Sequence, residues 1–372
     1  MTRLKLLFVT HIVSLGGASR SLRELLNAYD GVDVDLAVPR WIGAPDDAEI
    51  RRFFAPRRLG KIVRFWLPWS DVYVGHPKPW QSLRSAFVFP LAWRAQQRAF
   101  ARYVERERYD AVHLNSLVLH PMVTSELPFI LHVREILVEQ HARVQRDARN
   151  ARGTIFIDEA TKQPFEPDLP AHHIVLNNPV DMTGVGTLPS GIESRLGADP
   201  ARLTTFVIIG DLTDEKGVPF VVESFREVRS PDARLVVVGR GQPAMRAKLD
   251  KLAAGDRRIV QWGEERDVVP LFTLADYVLR GESYPCVGRT IYEALYAGCG
   301  VLVPGDRASH NMFEFDRFAD RIHFYAPRDR SGFIAQLDAL AGAKRTDKRG
   351  ESNTQQYAAA FDRFVREAIG KA

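Results

Sequence analysis

Short apolar runs alternate with amphipathic segments along almost the whole chain. In the first half, residues 4–10 form a strand-like run, 19–28 a helix-like segment with leucines on one face, and 33–38 a second strand-like run. In the second half, strand-like runs at 205–209 and 234–238 flank another helical segment. Parallel strands need long crossover connections, which helices usually supply. The alternation therefore predicts an α/β protein with two Rossmann-like, doubly wound sheets.

Chain length favours two domains. The 372 residues, 45% of them apolar, are enough for two ordinary hydrophobic cores. Glycine, proline and serine without periodicity mark a linker near the middle of the chain. We predict a first domain over 1–182, a linker over 183–203, a second domain over 204–348, and a terminal helix within 349–372 that packs back toward the first domain.

The first residues superficially resemble a secretory signal, because basic residues precede an apolar run. Thr10 and His11 interrupt that run, which makes a better buried strand, and the sequence contains no apolar stretch of about 18 residues. The two cysteines, Cys286 and Cys299, are too few for a disulfide framework and lack metal-ligand spacing. We expect a cytoplasmic protein, with peripheral contact to the inner face of the plasma membrane still open.

Positive charge is concentrated between residues 51 and 108. Thirteen lysines and arginines stand there against three acidic residues, a net charge of +10, while the whole chain carries +5. Four of the six tryptophans, Trp66, Trp69, Trp80 and Trp93, lie in the same window. Aromatic residues interleaved with basic ones suit an anionic membrane surface, which is the reading we favour. Two alternatives remain: a core of aromatics under a solvated arginine face, and, less favoured, a nucleic-acid surface.

Polar side chains end two further strand-like segments of the first half, 109–115 and 128–135. The carboxyl ends of parallel strands line the ligand crevice of an open sheet. A single histidine on an apolar strand more often has a structural role, but several polar residues at neighbouring strand ends form a stronger signal. The resulting acceptor-side candidates are His113, Asn115, His132, Arg134 and Glu135.

Two short motifs in the first half carry weaker signals. Asp33-Val34-Asp35 matches a DxD pattern that holds divalent ions in many sugar transferases, but carboxylates at strand ends are common, so we predict no metal site. The Gly16-Gly17 turn before the first helix would let the backbone approach a ligand closely. It is not a GxGxxG dinucleotide fingerprint.

The segment 280–304 combines two carboxylates with a helix start. Glu282 opens it, a glycine-containing loop leads into a helical run that carries Glu293, and a strand-like run follows. The N-terminus of a helix attracts phosphate, and carboxylates accept hydrogen bonds from sugar hydroxyls. Lys216, which precedes another helix, supplies a mobile positive charge for a phosphate, and Arg240 is a weaker candidate for the same task. These residues predict a site for a sugar nucleotide.

With these motifs the chain resembles the retaining glycosyltransferase family 4, whose GT-B fold places two Rossmann-like domains across a cleft. The matching pieces are Gly16-Gly17-Ala18, Asn177-Asn178-Pro179-Val180-Asp181, Lys216-Gly217, Val238-Gly239-Arg240-Gly241 and residues 282–298. The segments YDAVHLNS and LPFILHVRE are similar to a subgroup that builds cell-surface polysaccharides.

The resemblance implies a role for each matching residue. Lys216 would bind the donor diphosphate, Glu293 the ribose hydroxyls, and Glu282 the transferred sugar. Further contacts to the donor nucleotide or diphosphate are expected from Gly17, Arg240, Gly288, Arg289 and Thr290. His113 would contact the sugar near the reacting carbon, so the predicted catalytic residues are His113, Glu282 and Lys216.

Three departures from the family pattern bear on these roles. Ten residues separate Glu282 from Glu293, where relatives usually have seven, and Pro285 stands at the usual spacing. Asp211 stands where many relatives have an arginine, so Arg289 or Arg240 would have to complete a diphosphate clamp. A glycine pair common in relatives is replaced near residues 309–311.

The sequence thus predicts a metal-independent retaining hexosyltransferase without a cofactor. It would move sugar from a UDP- or GDP-sugar to a lipid-linked or oligosaccharide acceptor in cell-surface polysaccharide synthesis, with no nucleic-acid partner. The altered glutamate spacing and Asp211 favour one alternative, an inactive or weakly active nucleotide-sugar-binding subunit of an assembly complex. A nicotinamide-dependent oxidoreductase is less consistent, because residues 238–241 lack the third glycine of its fingerprint.

Overall fold

The computed structural model describes most of the chain. It covers residues 3–13, 16–30, 32–40, 44–54, 59–66, 79–137, 142–166, 168–186, 188, 191–265, 267–285, 288–308, 316–345 and 349–371, with the backbone alone over 79–90. Contacts divide the chain into two compact units. Unit 1 comprises Met1–Pro179 and Asn353–Ala372, and unit 2 comprises Val180–Ser352.

Strands and helices alternate as the sequence pattern predicts. The strands are β1 (Leu4–Val9), β2 (Val32–Pro39), β3 (Leu59–Phe65), β4 (Ala111–Leu114), β5 (Phe129–Val133), β6 (Gly153–Phe156), β7 (His173–Val175), β8 (Thr204–Ile209), β9 (Ala233–Val238), β10 (Ile259–Gly263), β11 (Tyr277–Leu279), β12 (Gly300–Pro304) and β13 (Ile322–Tyr325). The α-helices are α1 (Gly17–Ala28), α2 (Asp47–Phe53), α3 (Pro79–Glu107), α4 (Ala142–Asn150), α5 (Glu159–Lys162), α6 (Ile192–Leu196), α7 (Val218–Phe225), α8 (Pro243–Ala253), α9 (Val269–Leu274), α10 (Arg289–Tyr296), α11 (Arg330–Leu340) and α12 (Thr354–Ala368). Short 3₁₀ helices cover Leu117–Met122, Gln163–Phe165, Pro200–Arg202 and Ala319–Arg321.

Unit 1 is a parallel sheet covered on both faces. Its strand order is β3-β2-β1-β4-β5-β6-β7. Alternate residues of β1 enter different cores: Phe8 packs with helices α1 and α12, and Leu7 packs on the side of α3. Because both faces are buried, these strands read as nearly continuous apolar runs. The C-terminal helix α12 is part of this unit, with the Phe361 ring 5.9 Å from the Phe8 ring.

Unit 2 is a second parallel sheet, with strand order β10-β9-β8-β11-β12-β13. One face packs against α6, α9 and α10, and the other against α7, α8 and α11. Residues 183–203, expected as a linker, contribute helix α6 to this unit, where Ile192 and Leu196 lie in the core. These two sheets confirm the predicted fold class.

Each sheet has one place where the strand order reverses direction. In unit 1 the chain runs outward from β1 to β3 and then returns to β4 on the other side of β1. In unit 2 it runs outward from β8 to β10 and returns to β11 beside β8. Ligands of open α/β sheets bind outside the carboxyl ends of the two strands at such a switch point. The sites to search are therefore the ends of β1 and β4, and the ends of β8 and β11.

The basic and aromatic window has a mixed structure. Trp93 on helix α3 is 2% exposed and belongs to the core, whereas Trp66 is 56% exposed. Two of the basic residues fasten unit 1 internally: Arg51 donates to the carbonyl of Leu59, and Lys61 donates to Glu107 at 2.6 Å. Trp69, Arg57 and Arg58 lie outside the described residues, as do the side chains of Trp80 and Arg84. Within the described part of the chain, no helix has the length and apolarity that crossing a bilayer requires.

The two aspartates of the DxD pattern have different environments. Asp33 lies at the surface and pairs with Arg3 at 2.8 Å. Asp35 is buried and accepts hydrogen bonds from the Tyr109 hydroxyl and the Lys61 amide, both at 2.6 Å. Burial raises the pKa of Tyr109, and the bond to Asp35 raises it further, which keeps the phenol a donor. Asp35 therefore fastens the β2 edge to β3 and to the segment after α3.

Candidate functional site

The turn after β8 brings Lys216 to the switch point of unit 2. Gly217 adopts a φ of 63° immediately before helix α7. A Cβ atom at this position would lie 1.7 Å from the carbonyl oxygen of Gly281, so only glycine permits the two loops to touch. The contact places the turn after β8 directly against the segment that follows β11. Lys216 and Glu282 become neighbours as a result.

Glu282 is the buried centre of this site. Its side chain is fully enclosed and forms a bidentate ion pair with Arg280, whose Nε lies 3.1 Å from Oε2 and whose Nη2 contacts Oε1. The Lys216 Nζ is 3.6 Å from the same Oε1 atom, and its side chain is 43% exposed. A buried carboxylate needs such partners, because burial removes the water that would otherwise stabilise its charge. Despite the long spacing from Glu293, Glu282 thus occupies the end of the switch-point strand.

Arg280 extends the cluster to helix α10. Its Nη1 lies 3.2 Å from the Thr290 hydroxyl, and its guanidinium would lie 3.2 Å from a Cβ at Gly288. The Tyr325 hydroxyl donates to the Arg280 carbonyl at 2.8 Å. Burial raises the pKa of Tyr325, and the charge of Glu282 adds to the effect. One hydrogen-bonded group therefore joins the ends of β8 and β11 to the first turn of α10.

Glu293 lies one turn further along α10 and is also fully buried. Arg289 donates from Nε to its Oε1 at 2.8 Å, an i,i+4 pair on the same helix. Arg240 is placed differently: its side chain is 72% exposed, and its Nη2 lies 3.5 Å from Asp211. Exposed pairs of this kind hold side chains weakly. Of the two arginines proposed to complete a diphosphate clamp, Arg289 is the one fixed beside the glutamates.

The switch point of unit 1 holds a network centred on Arg134. Its guanidinium donates to the Asn115 side chain at 3.0 Å and to the Asn178 side chain at 2.7 Å. Ser21 donates to the same Asn178 oxygen at 2.8 Å, and Asn115 donates to the Ala18 carbonyl at 3.2 Å. The network ties the ends of β4 and β5 to the first turns of α1. Gly17, the first residue of that helix, therefore lies at this edge of the sheet.

Glu135 closes the other side of this edge. Its carboxylate accepts from the Ser116 hydroxyl at 2.5 Å and from the Leu117 amide at 2.8 Å. His11, after β1, is mostly buried, and burial lowers its pKa while the charge of Glu135 opposes that shift. Glu135 is thus held by the 3₁₀ helix that follows β4.

His113 does not lie at an open strand end. Its ring packs 4.9 Å from Phe8 and 5.3 Å from Phe361, and its Nε2 lies 3.1 Å from Nδ1 of His132. Burial lowers the pKa of both imidazoles well below the ordinary value, and the charge of Arg134 lowers it further. The His113 ring is therefore packed in the core of unit 1, because β4 is covered on both faces and a polar residue within it can face a core. The predicted contact of His113 with the transferred sugar stays a prediction.

Three contributors were missed by sequence reasoning. Arg280 follows the apolar run of β11 and stands two residues before Glu282. This spacing of an arginine and a glutamate at a strand end was the available signal of an ion pair. Ser21 and Asn178 join the network of Arg134, and only Asn178 lies in a segment that the motif comparison had singled out. Within the described residues, no three His, Cys, Asp or Glu side chains converge as metal ligands would.

The sequence that forms the second sheet matches a family model. Residues 204–340 match the model of the family described as glycosyl transferases group 1. The glycogen synthase of Vibrio parahaemolyticus is 25% identical over 164 residues, which are 42% of this chain and 34% of that protein. Glycogen synthase 1 of Rhizobium meliloti is 29% identical over 154 residues, 38% of this chain and 30% of that protein. The chain thus spans about a third of the length of the curated relatives it matches.

Solved structures match the whole chain. Anabaena HepE in complex with UDP and glucose gives a TM-score of 0.67 at 16% identity, covering 100% of both chains. A glycosyltransferase from Rickettsia africae gives 0.72 at 13% identity, also covering 100% of both. At such identities the likeness concerns the fold. The chain therefore has the two-sheet fold of GT-B glycosyltransferases, and its residues 204–340 match the group 1 glycosyltransferase family.

Proposed function

We propose that this protein is a retaining, family 4 type glycosyltransferase. It transfers a hexose-type sugar from a UDP- or GDP-sugar to a lipid-linked or oligosaccharide acceptor in cell-surface polysaccharide synthesis. The observation that carries the proposal is the cluster of Lys216, Arg280, Glu282 and Thr290 at the switch point of unit 2. The match of residues 204–340 to group 1 glycosyltransferases supports it. The likeness to HepE, which was solved with UDP and glucose, is consistent with a UDP-sugar.

The chemistry of the cluster suits a departing diphosphate. Negative charge grows on the diphosphate as the glycosidic bond breaks, and positive groups fixed nearby stabilise that charge. Lys216 is the mobile one, because its side chain is partly exposed and its 3.6 Å contact with Glu282 is loose. The first turn of α10, behind Gly288, adds oriented amides. These groups make a metal ion unnecessary in the proposal, and we expect transfer to continue in the presence of a chelator.

Glu293 and Glu282 take the sugar hydroxyls. In the structure each is held by an arginine, Glu293 by Arg289 and Glu282 by Arg280. Each arginine orients its carboxylate, whose other lone pairs can accept hydrogen bonds. Glu293 would bind the ribose and Glu282 the transferred sugar.

The acceptor side belongs to unit 1 in this proposal. Asn115, Arg134 and Glu135 meet at its switch point, with His132 beneath them. The basic and aromatic window would bring the protein to an anionic membrane that carries a lipid-linked acceptor, and the exposed Trp66 is consistent with such contact. The protein would then act in the cytoplasm at the inner face of the plasma membrane.

Donor binding and transfer can be tested with one pair of variants. A thermal-shift panel of UDP- and GDP-sugars should identify a nucleotide sugar that raises the melting temperature of the wild type. With that donor, Lys216→Ala should lower affinity by about tenfold to a hundredfold, because a charge-assisted contact to phosphate is lost. Lys251→Ala, which removes an exposed lysine from α8 of the same unit, is the matched control and should bind normally.

Two outcomes would change the proposal. If no nucleotide sugar binds, or if Lys216→Ala binds as well as the wild type, the donor site is misplaced. In the second outcome, a nucleotide sugar binds the wild type and binds Lys216→Ala more weakly, but no sugar is transferred to any acceptor extract. The protein would then be a nucleotide-sugar-binding subunit of an assembly complex, which the altered glutamate spacing also favours.

A further inference from the structure

Unit 1 contains a cavity of about 320 Å³, and the residues described above at the unit 1 switch point are not among its described lining residues. Helix α3 contributes one wall and helix α4 the other. Its lining residues are Trp93, Arg94, Gln97, Arg143, Arg146 and Asp147. Three of these six described residues are arginines and one is acidic, so together they carry a net charge of +2. We propose that this cavity, hereafter the α3–α4 pocket, binds the phosphate group of a phosphate ester or diphosphate.

Asp147, which lines the α3–α4 pocket, is hydrogen-bonded to a histidine behind it. Asp147 is mostly buried and lies 2.8 Å from Nδ1 of His120, which belongs to the 3₁₀ helix after β4. Arg146 approaches the same carboxylate at 3.3 Å, and Arg143 approaches it at 3.8 Å. Asp147 therefore contacts both of the α4 arginines that line the cavity. Their side chains remain 60% and 46% exposed, so both can turn to a ligand.

Arg94 is the residue that makes the pocket a candidate anion site. Asp147 already has His120, Arg143 and Arg146 as partners within the described part of the chain, so Arg94 adds positive charge that neutralising Asp147 does not require. Arg94, Arg143 and Arg146 line the same cavity, so an anion held there can contact more than one guanidinium. Guanidinium groups match phosphate oxygens with paired hydrogen bonds.

The other two lining residues give the pocket rigid walls. Trp93 is 2% exposed and belongs to the core beneath α3. Gln97, one turn later, donates its amide to the carbonyl of Pro121, which anchors α3 to the same 3₁₀ helix as His120. A pocket with fixed walls and partly mobile arginines at its mouth suits a small anion attached to a larger group outside. A lipid headgroup and a soluble phosphate compound share this chemistry.

The α3 helix supplies its own controls. Arg94, Arg98 and Arg102 recur every four residues and are all exposed, so they share one face of the helix. Of these three, only Arg94 lines the pocket. Replacing Arg94 or Arg98 by glutamine removes the same charge from neighbouring turns. A difference between the two variants therefore reports on the pocket, and a shared loss reports on the general positive surface. Neither substitution changes a residue of the donor site in unit 2, so the comparison does not depend on donor binding.

The test measures the full chain against two probes. One is sedimentation with vesicles of phosphatidylglycerol and phosphatidylcholine, with pure phosphatidylcholine as the blank. The other is calorimetric titration with inorganic pyrophosphate. We expect Arg94→Gln to weaken binding to at least one probe by about tenfold or more, while Arg98→Gln stays within about twofold of the wild type. Arg143→Gln should repeat the loss from the opposite wall, and unfolding midpoints confirm that the variants are folded.

The two arms identify the source of the phosphate. Loss of vesicle binding in Arg94→Gln assigns the pocket to a lipid headgroup, and loss of pyrophosphate binding alone assigns it to a soluble compound. Equal losses in Arg94→Gln and Arg98→Gln would overturn the proposal, because a diffuse basic surface would then explain the binding. Failure of the wild type to bind either probe would overturn it as well. Neither result depends on whether the protein transfers sugar.

Discussion

The two sheets reverse their strand order at equivalent places, but the side chains there differ in kind. At the switch point of unit 2, the buried Glu282 is paired with Arg280 and Lys216. At the switch point of unit 1, Arg134 donates to the side-chain oxygens of Asn115 and Asn178. The first arrangement balances buried charges around a partly exposed cation. The second ties strand ends to helix α1 through amides.

The difference shows that topology gives the place of a site and side-chain chemistry gives its task. Both crevices lie where the strand order of a parallel sheet reverses direction. The diphosphate of a nucleotide sugar needs positive groups that can exchange a protein partner for the ligand. Lys216, whose Nζ lies 3.6 Å from Glu282, meets that need. The molecule that accepts the sugar needs a surface of fixed hydrogen-bond donors and acceptors, and the Arg134 network provides one.

The largest expected effect comes from breaking the ion pair in unit 2. Arg280→Met should lower the free energy of unfolding by about 3–5 kcal/mol, because a buried carboxylate loses its bidentate partner. Arg240→Met is the control: its pair with Asp211 is exposed, so its loss should change stability by less than about 1 kcal/mol. Urea unfolding monitored by circular dichroism measures both. Equal stabilities of the two variants would mean that the Arg280 pair does not support unit 2.

A second prediction concerns the contact between Gly217 and Gly281. Gly217→Ala combines the strain of a positive φ, about 1–2 kcal/mol, with a clash against the Gly281 carbonyl. Gly197→Ala has a similar φ of 67° and open space around the new methyl group, so it carries the strain alone. We expect Gly217→Ala to lose about 3 kcal/mol in the same unfolding assay and to bind donor more weakly. If the two alanine variants are equally stable, the loop contact does not constrain the site.

The smallest predicted effect is the contribution of His113 to a pH dependence that arises in unit 1. The pKa values of His113 and His132 are depressed in the folded state, so the unfolded chain binds protons first as pH falls. Stability should be constant above about pH 6.5 and fall below it, by up to about 1.4 kcal/mol per pH unit for each histidine. His113→Phe keeps a ring between Phe8 and Phe361 and should make this slope shallower. An unchanged slope between pH 6.5 and 5 in urea unfolding would show that His113 does not contribute.

The sequence predicted the sheets better than the faces of their strands. The alternation of apolar and amphipathic segments was enough to predict two parallel sheets, because buried strands are apolar and the crossover helices between them are amphipathic. The burial of His113 was not predicted, because a strand covered on both faces gives no periodic signal that separates core from crevice. Trp93 was uncertain for a related reason: its burial depends on which side of α3 meets the sheet.

Spacing along the chain was also a poor guide to the donor site. The ten residues between Glu282 and Glu293 cast doubt on Glu282, but its position follows from β11 and from the Gly217 contact, which sequence reasoning cannot supply. Arg280 could have been found by asking what neutralises a carboxylate at the end of a buried strand. The roles of these residues toward a ligand remain predictions.

Hydrogen–deuterium exchange with and without nucleoside diphosphate shows which unit binds the donor nucleotide. UDP and GDP would be added separately to the full chain, at concentrations that raise its melting temperature. We predict that one of them protects the backbone amides of residues 217, 218, 220 and 221 and of residues 288–291, at the first turns of α7 and α10. A bound nucleotide that protects residues 113–117 and 134–135 in unit 1, with no change at either helix start in unit 2, would contradict the assignment of the donor site.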